Sequence, residues 1–70
     1  MDSSNDEKLK SLLAQYHGAR WRQKQHYLVA QSARREDKNY YYGKEREEAD
    51  HAVYLRSLLL ERGVEPDKKP

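Results

Sequence analysis

The chain has 70 residues, of which 37% are charged and 36% hydrophobic, so it has room for one small domain at most. It lacks cysteine, which excludes disulfide bonds and a zinc site built on thiolates. The net charge is only +2, and no run of residues has the apolar character of a signal peptide or a membrane-spanning helix. We therefore expect an intracellular protein, cytoplasmic or nuclear, that does not contact membranes.

The first predicted helix spans about residues 5–37 and follows a flexible leader at residues 1–5. Ser4 and Glu7 have the spacing of a capping box, which marks a helix start. The prediction favours a continuous helix through Gly18, but a break there stays open, because glycine in a helix costs about 1 kcal/mol relative to alanine. The residues spaced for one apolar face are Leu9, Leu12, Leu13, Tyr16, Ala19, Tyr27 and Ala30.

A second apolar line runs along the same predicted helix, displaced by roughly 100° around its axis. It consists of Ala14, Trp21 and Leu28, which recur at the seven-residue interval of a coiled coil. Two apolar edges on one helix predict two different neighbours.

The chain is predicted to reverse direction at about residues 38–43, where Asn39 and Gly43 are typical turn residues. A second, shorter helix then spans about residues 44–62. Its first turns are rich in glutamate and Gly63 follows its end, as expected for the two ends of a helix.

A short loop between two helices predicts an all-α fold, here an antiparallel helical hairpin within one domain at residues 6–62. Residues 63–70 are predicted to form a flexible tail. Because the second helix is the shorter one, it is expected to end near Gly18 to Trp21, with its last leucines beside Trp21. The leucines at the start of the first helix would then have no partner within the chain.

An exposed leucine stripe of this kind predicts an interface. We expect it to hold a homodimer or a larger helical bundle, or to dock a different protein. The predicted oligomer or partner interface consists of Leu9, Leu12, Leu13, Tyr16, Trp21, Leu28, Leu55, Leu58 and Leu59.

Basic and aromatic residues alternate between positions 20 and 38, which is a pattern that suits nucleic acid, since cations bind phosphates and rings stack on bases. The same pattern fits a solvated helix face, or ion pairs with the glutamates of the second helix, so both interpretations stay open. The candidate nucleic-acid-binding residues are Arg20, Arg22, Lys24, Tyr27, Arg34, Arg35 and Lys38.

Three consecutive tyrosines, Tyr40, Tyr41 and Tyr42, stand at the predicted reversal and cannot all point inward. They are candidates for a second contact surface, because tyrosine combines a rigid apolar ring with a hydroxyl group. The alternative is that one or two of the rings close the end of the hairpin.

Catalytic and metal-binding patterns are weak throughout the chain. Glu48 and His51 have an E-x-x-H spacing found in metal-binding bundles, but such bundles need two of these motifs and further carboxylates. No serine has the context of a nucleophile and no glycine-rich phosphate loop is present. We predict no enzyme activity, no cofactor and no metal.

The predicted function is therefore that of a small non-catalytic interaction protein, such as an adaptor, an inhibitor or a regulatory subunit. It would act through helix-face contacts with a protein partner, as a homo-oligomer. A nucleic-acid-binding accessory protein is the alternative, and an oligomer that sequesters a small ligand or nucleotide is a third possibility.

Overall fold

The computed structural model describes residues 3–67, and the side chains of residues 6–67. Helix α1 spans Ser3–Ser32 and helix α2 spans Lys38–Glu61, with no strand in the described part of the chain. The helices pack against each other along a rod of 53 × 20 × 16 Å. The predicted all-α helical hairpin is confirmed, and neither helix is long and apolar enough to cross a membrane.

Helix α1 runs unbroken through Gly18, as the continuous alternative predicted. Only the Arg22 side chain comes near a Cβ atom built on this glycine, with Nη1 at 3.2 Å. The start of α1 is less completely described. Residues 3–5 of the predicted leader belong to α1, and residues 1–2 lie outside the described part. The Ser4 side chain of the predicted capping box is not among the described side chains.

The reversal lies at residues 33–37, earlier than the predicted 38–43. The Arg34 carbonyl accepts hydrogen bonds from the Asp37 and Lys38 amides at 2.9 and 3.1 Å, which closes the turn. Gly43 consequently lies inside α2. The earlier reversal brings Leu55 and Leu59 into one cluster with Tyr16, and the burial of these leucines outweighs the roughly 1 kcal/mol cost of a helical glycine.

The apolar core lies in the half of the hairpin that is remote from the turn. Its buried members are Tyr16, Ala19, Ala52, Leu55 and Leu59, and Leu9, Leu12, Leu13 and Val64 pack partly buried around them. The alanines have small side chains, so the two helices can approach closely at the middle of the rod. Ala30 is the only other buried apolar residue of α1 among those described.

The prediction that the leucines at the start of α1 have no partner within the chain was wrong. Because α2 begins at Lys38, Leu59 packs in the same cluster as Tyr16 and the leucines of α1, rather than beside Trp21. Of the predicted interface residues, Tyr16, Leu55 and Leu59 are buried within the chain, Leu9, Leu12, Leu13 and Leu58 are half-buried, and Trp21 and Leu28 are exposed.

The segment after α2 folds back onto the hairpin. Gly63 has a φ of 78°, and its amide and that of Val64 donate to the Leu60 and Leu59 carbonyls, both at 3.0 Å. This Schellman motif returns Val64 to the core, and Pro66 is buried two residues later. The prediction of a flexible tail at residues 63–70 did not include these contacts, and residues 68–70 lie outside the described part.

Candidate interaction surface

Helix α1 carries more basic than acidic residues, because the chain has no aspartate or glutamate between Glu7 and Glu36. The cations of this acid-free stretch are Lys8, Lys10, Arg20, Arg22, Lys24, Arg34 and Arg35. Within α2, by contrast, Glu45, Glu47, Glu48 and Asp50 follow one another closely. The two helices therefore present different charges to solvent.

The side of α1 that α2 leaves uncovered carries two large apolar residues of the seven-residue line. Trp21 is 64% exposed and Leu28 is 45% exposed. Arg20, Lys24 and Tyr27 are also exposed beside them. We refer to these five residues as the Trp21 surface. Trp21 and Leu28 lie about two turns apart on α1. An exposed tryptophan marks a candidate binding surface, because docking removes its apolar area from water.

A groove of about 440 Å³ borders the Trp21 surface, between α1 and the first turns of α2. Its lining consists of Arg20, Trp21, Gln23, Lys24, Tyr27 and Glu45. Gln23 Nε2 donates to Glu45 Oε1 at 3.1 Å, which ties the only carboxylate of the lining to the opposite helix. The Tyr27 ring lies 6.3 Å from the Tyr42 ring, centroid to centroid, so α2 also supports the end of the groove.

Next to this groove, the contact between the helices is polar. Arg22 Nε donates to Glu48 Oε1 at 3.1 Å, which forms an ion pair across the hairpin. The buried oxygens Gln23 Oε1 and Glu48 Oε2 have no hydrogen-bond partner. Unsatisfied buried acceptors weaken packing, so the helices are held less firmly here than at the leucine core.

The returning segment after α2 adds a cluster of charges on the same side of the hairpin. Asp67 Oδ1 accepts from the Tyr16 hydroxyl at 2.5 Å, and Asp67 Oδ2 accepts from Arg56 Nε at 3.1 Å. Arg56 Nη2 also lies 3.4 Å from Glu65 Oε1. These contacts fasten the segment across both helices.

The same contacts shift three pKa values. The hydrogen bond from Tyr16, followed by the one from Arg56, lowers the pKa of Asp67. Burial, together with the hydrogen bond to Asp67, raises the pKa of Tyr16. The hydrogen bond to Asp67 and the charge of Glu65 raise the pKa of Arg56. All three shifts favour the protonation states that hold the segment in place at neutral pH.

A second groove of about 260 Å³ joins this charge cluster to the first groove. Tyr16, Arg56 and Asp67 line one end of it, and Arg20 and Gln23 line both grooves. The two grooves therefore form one seam along the side of the hairpin, which we call the side seam. It runs from the returning segment to Tyr27.

The three tyrosines lie on the first turns of α2 rather than in the turn. Tyr41 is half-buried, whereas Tyr40 and Tyr42 are exposed. The rings of Tyr40 and Tyr41 meet edge to face at 5.2 Å, and Lys44 Nζ lies 5.5 Å from the centre of the Tyr40 ring. Tyr42 lies instead by Tyr27, so the three rings do not form one surface.

The candidate nucleic-acid-binding residues are spread over two places. Arg20, Lys24 and Tyr27 line the side seam, whereas Arg34 and Arg35 are exposed at the turn, next to half-buried Lys38. Arg22 is paired with Glu48 across the hairpin, as the ion-pair alternative predicted. The other arginines of this set form no ion pair with the carboxylates of the described residues.

The weak metal candidates do not form a site with other ligands. Glu48 Oε1 is occupied by Arg22, and His51 is exposed on α2. Within residues 6–67, no three histidine or acidic side chains come together as metal ligands would.

Sequence reasoning did not place Glu45, Arg56 or Asp67 in a candidate site. Gln23 carried a signal, since it interrupts the apolar face of α1 and so marks a polar position at the helix contact. The contacts of Asp67 carried none, because they depend on where the segment after Gly63 lands on α1. Pairings over such a distance in sequence do not follow from helical periodicity.

The comparisons with known proteins give no relative for this chain. It matches no protein family model, no curated protein and no solved structure.

Proposed function

We propose that the protein is a small non-catalytic interaction protein that docks a protein partner on the Trp21 surface. The observation that carries the proposal is the exposure of Trp21 and Leu28 on the side of α1 left free by α2. An aromatic anchor beside an aliphatic one, flanked by cations, is the composition of a protein interface centre. The rest of the large apolar side chains of α1 serve the hairpin's own core, apart from Tyr27 and Val29.

The charge of α1 bears on the kind of partner. Packing α1 against α1 of a second copy would bring the acid-free stretches of both chains together, and like charges across an interface are unfavourable. An acidic partner has the complementary charge. The proposed partner is therefore a different, acidic protein, and the homo-oligomer stays a prediction that the same experiment tests.

A position-specific crosslinking experiment tests the proposed function. A photoreactive phenylalanine analogue replaces Leu28 in one variant and Tyr54 in the control, because Tyr54 is an exposed aromatic residue of α2. Both proteins are irradiated in cells that produce them, and the adducts are identified by mass spectrometry. We expect a discrete protein adduct from position 28 that is absent from position 54 and is lost when Trp21→Ala is added.

Each adduct has a distinct meaning. A position-28 adduct with a second copy of the chain would show self-association in place of a different partner. An adduct that nuclease removes would favour the nucleic-acid alternative. Equal labelling from both positions, or none from position 28, would contradict an interface at the Trp21 surface.

Nucleic-acid binding is the second candidate, and the exposed Arg34 and Arg35 at the turn favour it. Together with Arg20 and Lys24, they supply cations within the stretch between Glu7 and Glu36 that carries no acidic residue. Binding of a labelled single-stranded oligonucleotide, followed by fluorescence anisotropy, should then weaken steeply with salt and with Arg34→Glu plus Arg35→Glu. Anisotropy that does not change with oligonucleotide at low salt would remove this candidate.

A further inference from the structure

We propose that the side seam binds an extended acidic segment of the partner, seated next to Trp21; this inference rests on the proposed function. The chain itself shows what one end of the seam accepts. Residues 64–67 are non-helical, and of these Asp67 lines the groove that leads on towards Tyr27. The proposed segment would continue along the same seam.

The returning segment shows which chemical groups bind at its end of the side seam. Val64 and Pro66 bury apolar surface, whereas the Asp67 carboxylate lies between the Tyr16 hydroxyl and Arg56. Apolar side chains thus enter the hairpin while an acidic one meets a phenol and a guanidinium. Charge-assisted hydrogen bonds of this type add both energy and orientation.

The open part of the seam repeats these chemical groups. Arg20 and Lys24 supply cations that form no ion pair with a described carboxylate, and Trp21 and Tyr27 supply ring faces. Glu45 is the only acid in this lining, and it accepts a hydrogen bond from Gln23. A ligand with carboxylates and apolar side chains therefore matches the seam in charge and in surface.

An extended peptide fits these features better than nucleic acid. A nucleic-acid strand needs cations in series along its backbone, whereas this groove has Arg20 and Lys24 and also one carboxylate in its lining. Arg34 and Arg35 stand apart at the turn. The peptide interpretation has a precedent in Asp67, a residue of a non-helical segment whose carboxylate is held at one end of the seam.

The test uses the fluorescence of Trp21, which is the only tryptophan of the chain and lines the groove. The probe is a capped nonapeptide that repeats the order Val-Glu-Pro-Asp, and the matched control peptide carries Gln and Asn in place of Glu and Asp. At low salt, we expect the acidic peptide to shift the Trp21 emission to shorter wavelength with saturation. The neutral peptide should bind about tenfold more weakly, since it lacks the charge of the acidic one.

Protein variants locate the contact. The double substitution Arg20→Gln plus Lys24→Gln should weaken binding of the acidic peptide by about tenfold. The control Lys10→Gln plus Arg35→Gln removes the same amount of charge from the chain, at two positions outside the groove lining, and should have a smaller effect. Circular dichroism checks that both double variants keep their helix content, which is expected because Arg20, Lys24, Lys10 and Arg35 are exposed.

Four results would overturn the inference: no saturable emission shift, equal binding of both peptides, equal weakening by the two double variants, or a shift produced by a thymidine oligonucleotide but not by the acidic peptide. The crosslinking experiment separates this inference from the proposed function. A protein adduct from position 28 with no peptide binding would leave the interface in place and reject only the acidic extended segment.

Discussion

The two ends of the hairpin use the same pair of helices in different ways. At the end remote from the turn, Tyr16, Leu55 and Leu59 are buried, and the segment after Gly63 folds over them. Towards the turn, Gln23 meets Glu45 and large apolar side chains such as Trp21 face solvent. The leucine end holds the buried core cluster, whereas the part towards the turn exposes Trp21 and Leu28.

This difference separates stability from recognition. Burial of apolar surface is the main favourable term in folding, so the leucine end should supply most of the free energy of folding. The polar contact between the helices contributes less, because hydrogen bonds to water are exchanged for bonds within the protein. Residues such as Trp21 and Leu28 can therefore change with little effect on the fold, which suits a binding surface.

The largest expected effect is at the leucine end. Leu59→Ala should reduce the free energy of unfolding by about 2–5 kcal/mol, because Leu59 is fully buried and its truncation leaves a cavity. The neighbouring Leu60 is 41% exposed, so Leu60→Ala is the matched control and should have a much smaller effect. Urea unfolding followed by circular dichroism measures both. Similar losses for the two variants would contradict the described register of α2.

Two glycines give opposite predictions. Gly63→Ala should destabilise the hairpin by about 1–2 kcal/mol, since Gly63 has a φ of 78° in the left-handed region. Gly43→Ala should stabilise it by about 0.5–1 kcal/mol, because Gly43 is helical and nothing lies within 4 Å of an added Cβ. Thermal unfolding of both variants distinguishes a turn at residues 33–37 from one that includes Gly43, where alanine would not stabilise.

Apolar residues in place of the polar ones should strengthen the contact between the helices near the turn. Gln23→Met together with Glu48→Met removes both buried oxygens that lack a partner and should stabilise the hairpin by about 1 kcal/mol. Arg22→Met is the opposite control, because it leaves the Glu48 carboxylate without its partner and should destabilise. Chemical denaturation of the unsubstituted protein and the two variants gives the order of their free energies of unfolding. A less stable double variant would show that water satisfies these oxygens.

The smallest effect is expected from the returning segment, and it depends on pH. The pKa of Asp67 is lowered in the folded protein, so its contribution to stability is fully present above the ordinary aspartate pKa and is lost as pH falls through the lowered value. Asp67→Asn should lower Tm by a few degrees at pH 7 and by less at a pH below the ordinary aspartate pKa. Calorimetry at both pH values measures this, and an equal difference at the two would show that the charge is not involved.

The raised pKa of Tyr16 predicts a loss of stability at the alkaline end of the pH range. A group whose folded pKa is raised stabilises the fold below its unfolded value and loses that contribution as pH rises through the folded value. The segment should therefore also loosen at strongly alkaline pH. A Tyr16→Phe variant, which lacks the hydroxyl, should not show this alkaline loss in its Tm.

Local sequence signals located some features of the fold and misplaced others. The prediction that α2 ends before Gly63 is confirmed, because glycine readily adopts the left-handed conformation that ends a helix. Gly43 was read as a turn residue and lies in a helix. Turn propensities are small compared with the burial of several leucines, so the pairing of the helices overrode the local signal.

For the candidate site, periodicity identified the line of Trp21 and Leu28 as an edge separate from the core face, and both residues are exposed. It did not show that Leu9, Leu12 and Leu13 would be covered by α2 and the returning segment. These three of the nine predicted interface residues therefore contribute to the hairpin's own core. The spacing of apolar residues shows which of them share a face, but it does not show which face finds a partner within the chain.

The sequence by itself determined two helices, most of the apolar face of α1 and the end of α2, since these depend on residues close together in the chain. Tyr27 was also predicted on that face, but it is exposed. The tertiary structure alone decided the position of the turn, the register between α1 and α2, and the return of Asp67 to Tyr16. These depend on the total apolar surface that two distant segments bury together. The same register decides that the leucines stabilise the hairpin, whereas Trp21 stays exposed to solvent.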